Sequence, residues 1–174
     1  MVISESSIAS FESIHLCMKL VTESDQQFYV SLFTDHSTMQ HIGETLSDNQ
    51  AVERFKKELT ATGQNPSKSM LWIIINKAEN KKLGLIGISQ RSIFNDNWEL
   101  GVVLAKQAVA QGIAKEAIKS LTKDILSQLQ IDKLYGRINH KNDISINMVK
   151  SMGFENYKND DGYGYWVYER KNWG

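Results

Sequence analysis

The residues best suited to chemistry lie in segment 98–117, where a strand pattern passes through a short loop into a helical pattern. The first turn of a helix has unpaired backbone N–H groups and a positive dipole end, and both attract anions. Gly112 would let a diphosphate approach those groups closely, although a tight strand-to-helix turn also requires a glycine. Small and basic neighbours strengthen the prediction of an anion site: Ala110, Ala114, Lys106 and Lys115.

A second group of polar side chains follows the next predicted strand. Asn142, Asp143 and Ser145 open a short helical pattern that ends at Gly153. Asn or Asp at such a position is an ordinary N-cap, and a first-turn serine can satisfy a local N–H group. The residues alone therefore leave open whether this group is a helix cap or part of a site.

A sheet must position both segments. Alternating or β-branched and aromatic residues predict six strands: His15 to Leu20, Met70 to Asn76, Leu83 to Arg91, Trp98 to Leu104, Lys133 to Asn139 and Gly164 to Arg170. Turn-forming residues separate the second, third and fourth of these, which predicts an antiparallel meander. The last strand is expected to belong to a hairpin. The polar stretch around Pro66 is predicted to be a loop.

Four helices are predicted between the strands. Thr22 to Asp25 and Ser47 each provide a capping residue before a helical apolar pattern. After Gly112, apolar residues recur at helical spacing for about four turns, enough to cross over between parallel strands. A short helix fits Ile144 to Ser151, with Gly153 as its left-handed cap. The order of elements predicts a mixed α/β fold.

Composition excludes several classes of function. The chain has 174 residues, which predicts a single domain over 1–174. Its 20 Lys and Arg balance its 20 Asp and Glu, so no overall charge attracts nucleic acid or an anionic membrane. The single cysteine, Cys17, excludes an internal disulfide and indicates a reducing compartment. With no secretion signal or membrane span recognisable, we expect a cytoplasmic location.

The order and spacing of these segments resemble the GNAT superfamily of acyl-CoA-dependent N-acyltransferases, in particular its branch of ribosomal-protein N-terminal acetyltransferases. The phosphate-binding pattern of that family falls on residues 109–114, and its Glu-Ala on residues 116–117. Its Asn-x-x-Ser falls on residues 142–145 and its Gly-Phe on residues 153–154. Val109 stands where the family usually has Gln or Arg.

The resemblance implies a central, mostly antiparallel sheet of six to seven strands flanked by about four helices. It also implies acetyl-CoA as the acetyl donor and no metal. By similarity, the backbone at 102–104 would hold the pantetheine arm and thioester carbonyl, and residues 111–115 would hold the pyrophosphate. The full set implied to bind the donor is Val102, Val103, Leu104, Val109, Gln111, Gly112, Ile113, Ala114, Lys115 and Asn142.

The family passes the acetyl group directly from the thioester to an amine in a ternary complex, so Cys17 is expected to be a small buried residue. Glu99 is implied to position the amine and take its proton, the alternative being an exposed carboxylate at a strand edge. Ser145 is implied to donate a hydrogen bond to the departing thiolate. His140 is an alternative base, or else a surface imidazole at a strand end.

The implied acceptor site contains Met39, His41, Glu99 and Tyr165, although an aromatic strand face could also explain the tyrosine. The acceptor is a protein N-terminus or a small-molecule amine, and the chain is a monomer or a homodimer. The histidines show no metal-ligand spacing. Two alternatives stay open: a catalytically silent acyl-CoA-binding sensor or scaffold, and an unrelated α/β domain without a CoA site.

Overall fold

A single eight-stranded sheet forms the centre of the fold, in the order β1-β2-β3-β4-β5-β6-β8-β7. The computed structural model describes residues 10–64 and 67–173. The strands are β1 (Ser10–Glu12), β2 (Leu16–Leu20), β3 (Ser69–Asn76), β4 (Lys81–Arg91), β5 (Asn97–Leu104), β6 (Lys133–Asn139), β7 (Glu155–Asn159) and β8 (Tyr163–Glu169). All neighbouring strands pair antiparallel except β5 and β6, which are parallel.

Five α-helices accompany the described part of the sheet. They are α1 (Gln26–Phe33), α2 (His36–Met39), α3 (Asp48–Thr62), α4 (Ile113–Leu121) and α5 (Asp143–Met152). Ser47 caps α3 by accepting a hydrogen bond from the Gln50 N–H group, and the Gln50 side chain accepts one from Ser47 in return. The chain leaves α4 through a π-helical segment, Thr122–Leu126.

The predicted fold class is confirmed: the chain is mixed α/β, with an antiparallel meander followed by a helical crossover. The described residues contain eight strands and five α-helices, one or two strands and about one helix more than expected. β1 has only three residues, and α2 has only four, so neither is long enough to show a periodic pattern. The loop predicted around Pro66 lies partly outside the described residues. Residues 1–9, on which the secretion-signal prediction depends, lie wholly outside them.

The two faces of the sheet carry separate hydrophobic cores because neighbouring strand residues point to opposite sides. On one face, Ile73 and Leu85 pack with the buried residues of α1, α2 and α3. On the other face, Trp72 and Ile86 pack with the apolar residues of α4 and α5. The α1–α3 layer does not extend over β6 and β8, which leaves that end of its face open to a cavity described below.

The parallel strands β5 and β6 diverge along their length. Glu99 and Tyr135 form the single registered pair between them, although the strands have eight and seven residues. Beyond this pair, β5 remains bonded to β4 as far as Leu104. The carboxyl ends of β5 and β6 therefore enclose a gap in the middle of the sheet.

No helix among the described residues is both long and apolar enough to cross a membrane. Within the same residues, no three His, Cys, Asp or Glu side chains lie together in a way that could hold a metal ion.

Candidate active site

The gap between β5 and β6 exposes backbone groups of β5. Ala105 N donates a hydrogen bond to Leu83 O at 2.9 Å. This bond shows which alternate residues along β5 are hydrogen-bonded to β4. In an antiparallel pair alternate residues bond to the partner, so the residues between them turn their N–H and C=O groups the other way. Val102 and Leu104 therefore direct backbone donors and acceptors into the gap.

A first cavity of about 590 Å³ opens from this gap across the start of α4 and α5. Its apolar walls come from β5, α4 and α5, and Ser37 and Thr38 of α2 close one side. Eight of the residues predicted to hold a CoA thioester line it: Val102, Leu104, Val109, Gly112, Ile113, Ala114, Lys115 and Asn142. Lys106 also lines the cavity and adds a second cation to its rim.

The turn before α4 has the backbone form of an anion-binding loop. Ala110 and Gly112 both have left-handed φ angles, +62° and +78°. Glu116 N donates the first hydrogen bond of α4, to Gly112 O. The N–H groups of residues 113–115, which precede it in the helix, therefore have no carbonyl partner within the helix. A Cβ atom added to Gly112 would meet nothing within 4 Å. The helix start thus presents unpaired N–H donors to an open space, the arrangement that binds anions at helix N-termini.

Glu116 fixes this helix start to the sheet edge. Its carboxylate accepts hydrogen bonds from Ser13 Oγ and, at 3.0 Å, from His15 N in the turn between β1 and β2. His15 Nδ1 lies 3.2 Å from the other carboxylate oxygen. Burial raises the pKa of Glu116, but these hydrogen bonds outweigh that effect and lower it overall. Glu116 is therefore an anion that holds α4 in position and does not enter the cavity.

Asn142 performs two structural tasks at the same place. Its Oδ1 accepts a hydrogen bond from Ser145 N at 3.1 Å, which caps α5 as predicted. Its Nδ2 donates to His41 O at 3.3 Å, which ties the segment after α2 to the start of α5. Ser145 Oγ is half-buried at the cavity wall, and among the described residues it has no hydrogen-bond partner. It is available to a ligand.

A second cavity of about 530 Å³ passes through the gap in the sheet: it is lined by Glu99 and Val103 on the α1–α3 face and by Ile118, Val149 and Trp166 on the α4–α5 face. Met39, Val103 and Glu99, three of the predicted site residues, line it. The two cavities share a set of lining residues at the gap in the sheet: His41, Ile42, Val102, Asn142, Ser145 and Met148. A thioester in the first cavity and an amine in the second would therefore meet between Ser145 and β5.

Glu99 is the acidic side chain nearest to this junction on β5. Its side chain is 22% exposed, and Arg91 Nε lies 3.3 Å from its Oε2. Burial raises the pKa of Glu99 above its ordinary value, and the charges of Arg91 and Arg137 lower it by less. A carboxylate with a raised pKa is a better proton acceptor, which is the property a general base requires.

Several predicted residues are not brought to the cavities. Gln111 binds Gln107 O at 2.6 Å through its side chain and lines neither cavity. Tyr165 is buried, donates to Asp160 Oδ2 at 2.7 Å and also lies outside both. His140 is an exposed residue with Nε2 2.9 Å from Asp160 O. Cys17 is 8% exposed and distant from the gap. Tyr165 and His140 therefore line neither cavity, and their predicted roles stay predictions.

A family model described as the acetyltransferase (GNAT) domain matches residues 15–155. The chain belongs to this family. The resemblance that the motifs indicated is thereby confirmed, and the match covers every element from β2 to the start of β7. A search of curated proteins found no match to this GNAT chain.

Solved structures share the fold of this GNAT domain at low sequence identity. An acetyltransferase from Agrobacterium tumefaciens is 17% identical, with a TM-score of 0.80 over 98% of each chain. The spermidine N-acetyltransferase of Vibrio cholerae, solved with CoA and spermine, is 14% identical, with a TM-score of 0.76 over 92% of this chain and 99% of that one. The ribosomal-protein-S5-alanine acetyltransferase of Vibrio fischeri is 16% identical, with a TM-score of 0.71 over 95% and 98%.

Sequence reasoning did not single out two site residues of this GNAT domain. Arg91 and Arg137 line the second cavity and act on Glu99 from β4 and β6. Both are arginines near strand ends, a common place for solvated charges, and only the strand register brings them to one face. Ser37 and Thr38 were also missed, because the single turn of α2 gives no sequence pattern.

Proposed function

We propose that this chain transfers an acetyl group from acetyl-CoA directly to a primary amine in a ternary complex. The observation that carries the proposal is the meeting of two cavities at the gap between β5 and β6. The first has the free helix N-terminus and the cations that a CoA pyrophosphate needs. The second has a half-buried carboxylate that can accept a proton.

The donor would bind mainly to the backbone. The N–H groups at the start of α4 would hold the pyrophosphate, and Lys106 and Lys115 would add charge at the rim. The exposed backbone of Val102 and Leu104 would hold the pantetheine arm in the manner of a neighbouring strand. A β5 N–H group pointing into the gap would also stabilise the oxyanion that forms when the amine attacks the thioester carbonyl.

Two side chains would move protons or charge. Glu99 would take a proton from the ammonium group of the acceptor, so that its nitrogen lone pair can attack the carbonyl carbon. As the carbon–sulfur bond breaks, the Ser145 hydroxyl would donate a hydrogen bond to the departing thiolate. The attacking nitrogen gives up its second proton as the carbon–sulfur bond breaks, and this proton neutralises the thiolate, so the acetyl group ends on the amine and CoA leaves as the thiol.

The competing function is a silent acyl-CoA sensor, which would use the first cavity and leave the second empty. The test is to incubate the purified protein with acetyl-CoA and a broad panel of amines, following free thiol and N-acetylated product. Thiol release that requires an amine supports the transferase. Tight CoA binding by calorimetry with no transfer to any amine supports the sensor instead.

A Ser145→Ala variant separates the role of the hydroxyl from that of the fold. The hydroxyl has no partner among the described residues, so its removal should leave stability unchanged while lowering kcat about 10-fold or more. Single-turnover kinetics would measure the chemical step, and an unchanged rate would exclude Ser145 from it.

A further inference from the structure

The second cavity contains Arg137, a cation that has no ion-pair partner among the described residues but interacts with the Tyr165 hydroxyl and, at longer range, with the charge of Glu99. Arg137 lies on β6 with its guanidinium 4.5 Å from the centre of the Tyr163 ring, which holds it in place. Arg91 is occupied by its ion pair with Glu99, whereas no ion pair within the described residues involves Arg137. A positioned and unpaired guanidinium in a cavity is suited to bind a carboxylate in two parallel hydrogen bonds.

The strand register fixes where this cation lies relative to Glu99. Glu99 is paired with Tyr135, and residues two apart on a strand share a face. Arg137 is therefore on the same face as Glu99, about 7 Å further along β6 than Tyr135. The side chains of Glu99 and Arg137 can reach toward one molecule from neighbouring strands, one offering a negative charge and the other a positive charge.

The floor of the cavity beside Glu99 includes two glycines. Gly87 and Gly101 face each other across β4 and β5, on the same face as Glu99. A Cβ atom added to Gly101 would meet nothing within 4 Å. At Gly87 the Leu71 side chain covers the backbone, so it is the open backbone at Gly101 that leaves room for a small molecule between the carboxylate and the gap.

We propose that the acceptor is an α-amino acid, whose ammonium group lies at Glu99 and whose carboxylate lies at Arg137. This inference rests on the proposed function and names its substrate class. The amine and carboxylate of an α-amino acid share one carbon atom, which matches two opposite charges presented from adjacent strands.

A polyamine fits this part of the cavity poorly. Its second ammonium would lie near the guanidinium groups of Arg91 and Arg137, and like charges at such distances repel. The carboxylates of Glu44 and Glu58 also line the cavity, together with the guanidinium of Arg54. The charge pattern around Glu99 therefore favours a substrate that carries its own anion.

The test compares matched acceptors with the full-length protein and acetyl-CoA. For each of several L-amino acids, kcat/KM is measured for the acid, its amide and its decarboxylated amine, alongside spermidine and short peptides. We expect kcat/KM for the acid to exceed kcat/KM for its amide by about 10- to 100-fold, because only the acid can form a hydrogen-bonded charge pair with Arg137. Free thiol and mass spectrometry of the product provide independent readouts.

Variants connect the preference to its residue. Arg137→Gln should bring the ratio of acid to amide close to one while leaving CoA affinity unchanged. Arg137→Lys should retain part of the preference, because it keeps the charge but loses the bidentate geometry. Lys57→Gln removes an exposed cation of α3 that lines neither cavity, so its ratio should equal that of the wild type.

The outcomes are distinct. Absence of transfer to every amine would overturn the proposed function and this inference with it. Transfer that prefers amides, spermidine or peptides over amino acids would overturn the inference and leave the proposed function standing. An unchanged ratio in Arg137→Gln would also overturn it. Should that variant fail to fold, the wild-type comparison of acid with amide decides alone.

Discussion

Replacing Gly112 by alanine should damage CoA binding more than it damages the fold. The residue has φ +78°, and forcing an L-residue into this region costs about 1–2 kcal/mol. For a chain of this size, that cost lowers Tm by roughly 2–8 °C. The new methyl group also projects into the first cavity, because Gly112 lines that cavity and the space beside it is open.

The expected loss of affinity follows from the donors at the helix start. A methyl group there holds the diphosphate away from the first-turn N–H groups, and each hydrogen bond to a charged group contributes about 1.5–3 kcal/mol. Loss of one such bond raises Kd for CoA by about 10- to 100-fold. Isothermal titration calorimetry measures this directly, and thermal unfolding measures the stability of the same sample.

Gly153 provides the matched control. It also has a left-handed φ, +92°, and an added Cβ would make only ordinary contacts, 3.7 Å from Asn172 Cβ and 3.9 Å from the Tyr168 ring. It lines neither cavity, so Gly153→Ala should lose similar stability but bind CoA with wild-type affinity. Equal Kd values for both variants would refute the assignment of the helix start as the diphosphate site.

Three further predictions follow from the same geometry. Glu99→Gln should lower kcat by about 10²- to 10⁴-fold and remove the acidic limb of the pH–rate profile. In the wild type the midpoint of that limb should lie above 4.5, the ordinary pKa of a glutamate, because burial raises the pKa of Glu99. Because a raised pKa means that the folded protein disfavours the carboxylate, this variant should be no less stable than wild type at neutral pH. Any gain should shrink as the pH falls below the raised pKa and vanish below the ordinary value of 4.5. Asn142→Asp retains the oxygen that caps α5 and loses the N–H group that donates to His41 O, so CoA affinity should fall with little change in Tm. Asn142→Ala also removes the cap and should cost about 1 kcal/mol in stability. Equal stability of the two variants would count against the cap. Burial raises the pKa of Asp25, but the hydrogen bonds that its carboxylate accepts from Lys82 and Thr22 outweigh it and lower the pKa overall. Asp25→Ala should therefore cost about 2 kcal/mol above pH 3.8 and progressively less below it, as urea unfolding across pH would measure.

The sequence determined the main elements of the fold and pointed to the residues of the proposed diphosphate site. Dense β-branched strands, capping residues and the spacing of apolar residues after Gly112 are local signals, so the predicted strands ended within two residues of those observed. The left-handed cap at Gly153 and the cap at Asn142 were also predictable, because they depend on the preferences of one or two residues. Elements of three or four residues, such as β1 and α2, carry no such signal.

The acceptor side was decided only by the tertiary structure. Whether Arg137 and Tyr165 reach a cavity depends on strand register, and a shift of one residue turns a side chain to the opposite face. The register places Arg137 on the same face as Glu99 and pairs it with Tyr165, whose hydroxyl is held by Asp160 outside the cavity lining. The gap between β5 and β6, where the two cavities meet, arises from the divergence of two strands that are far apart in sequence, and no local pattern encodes that divergence.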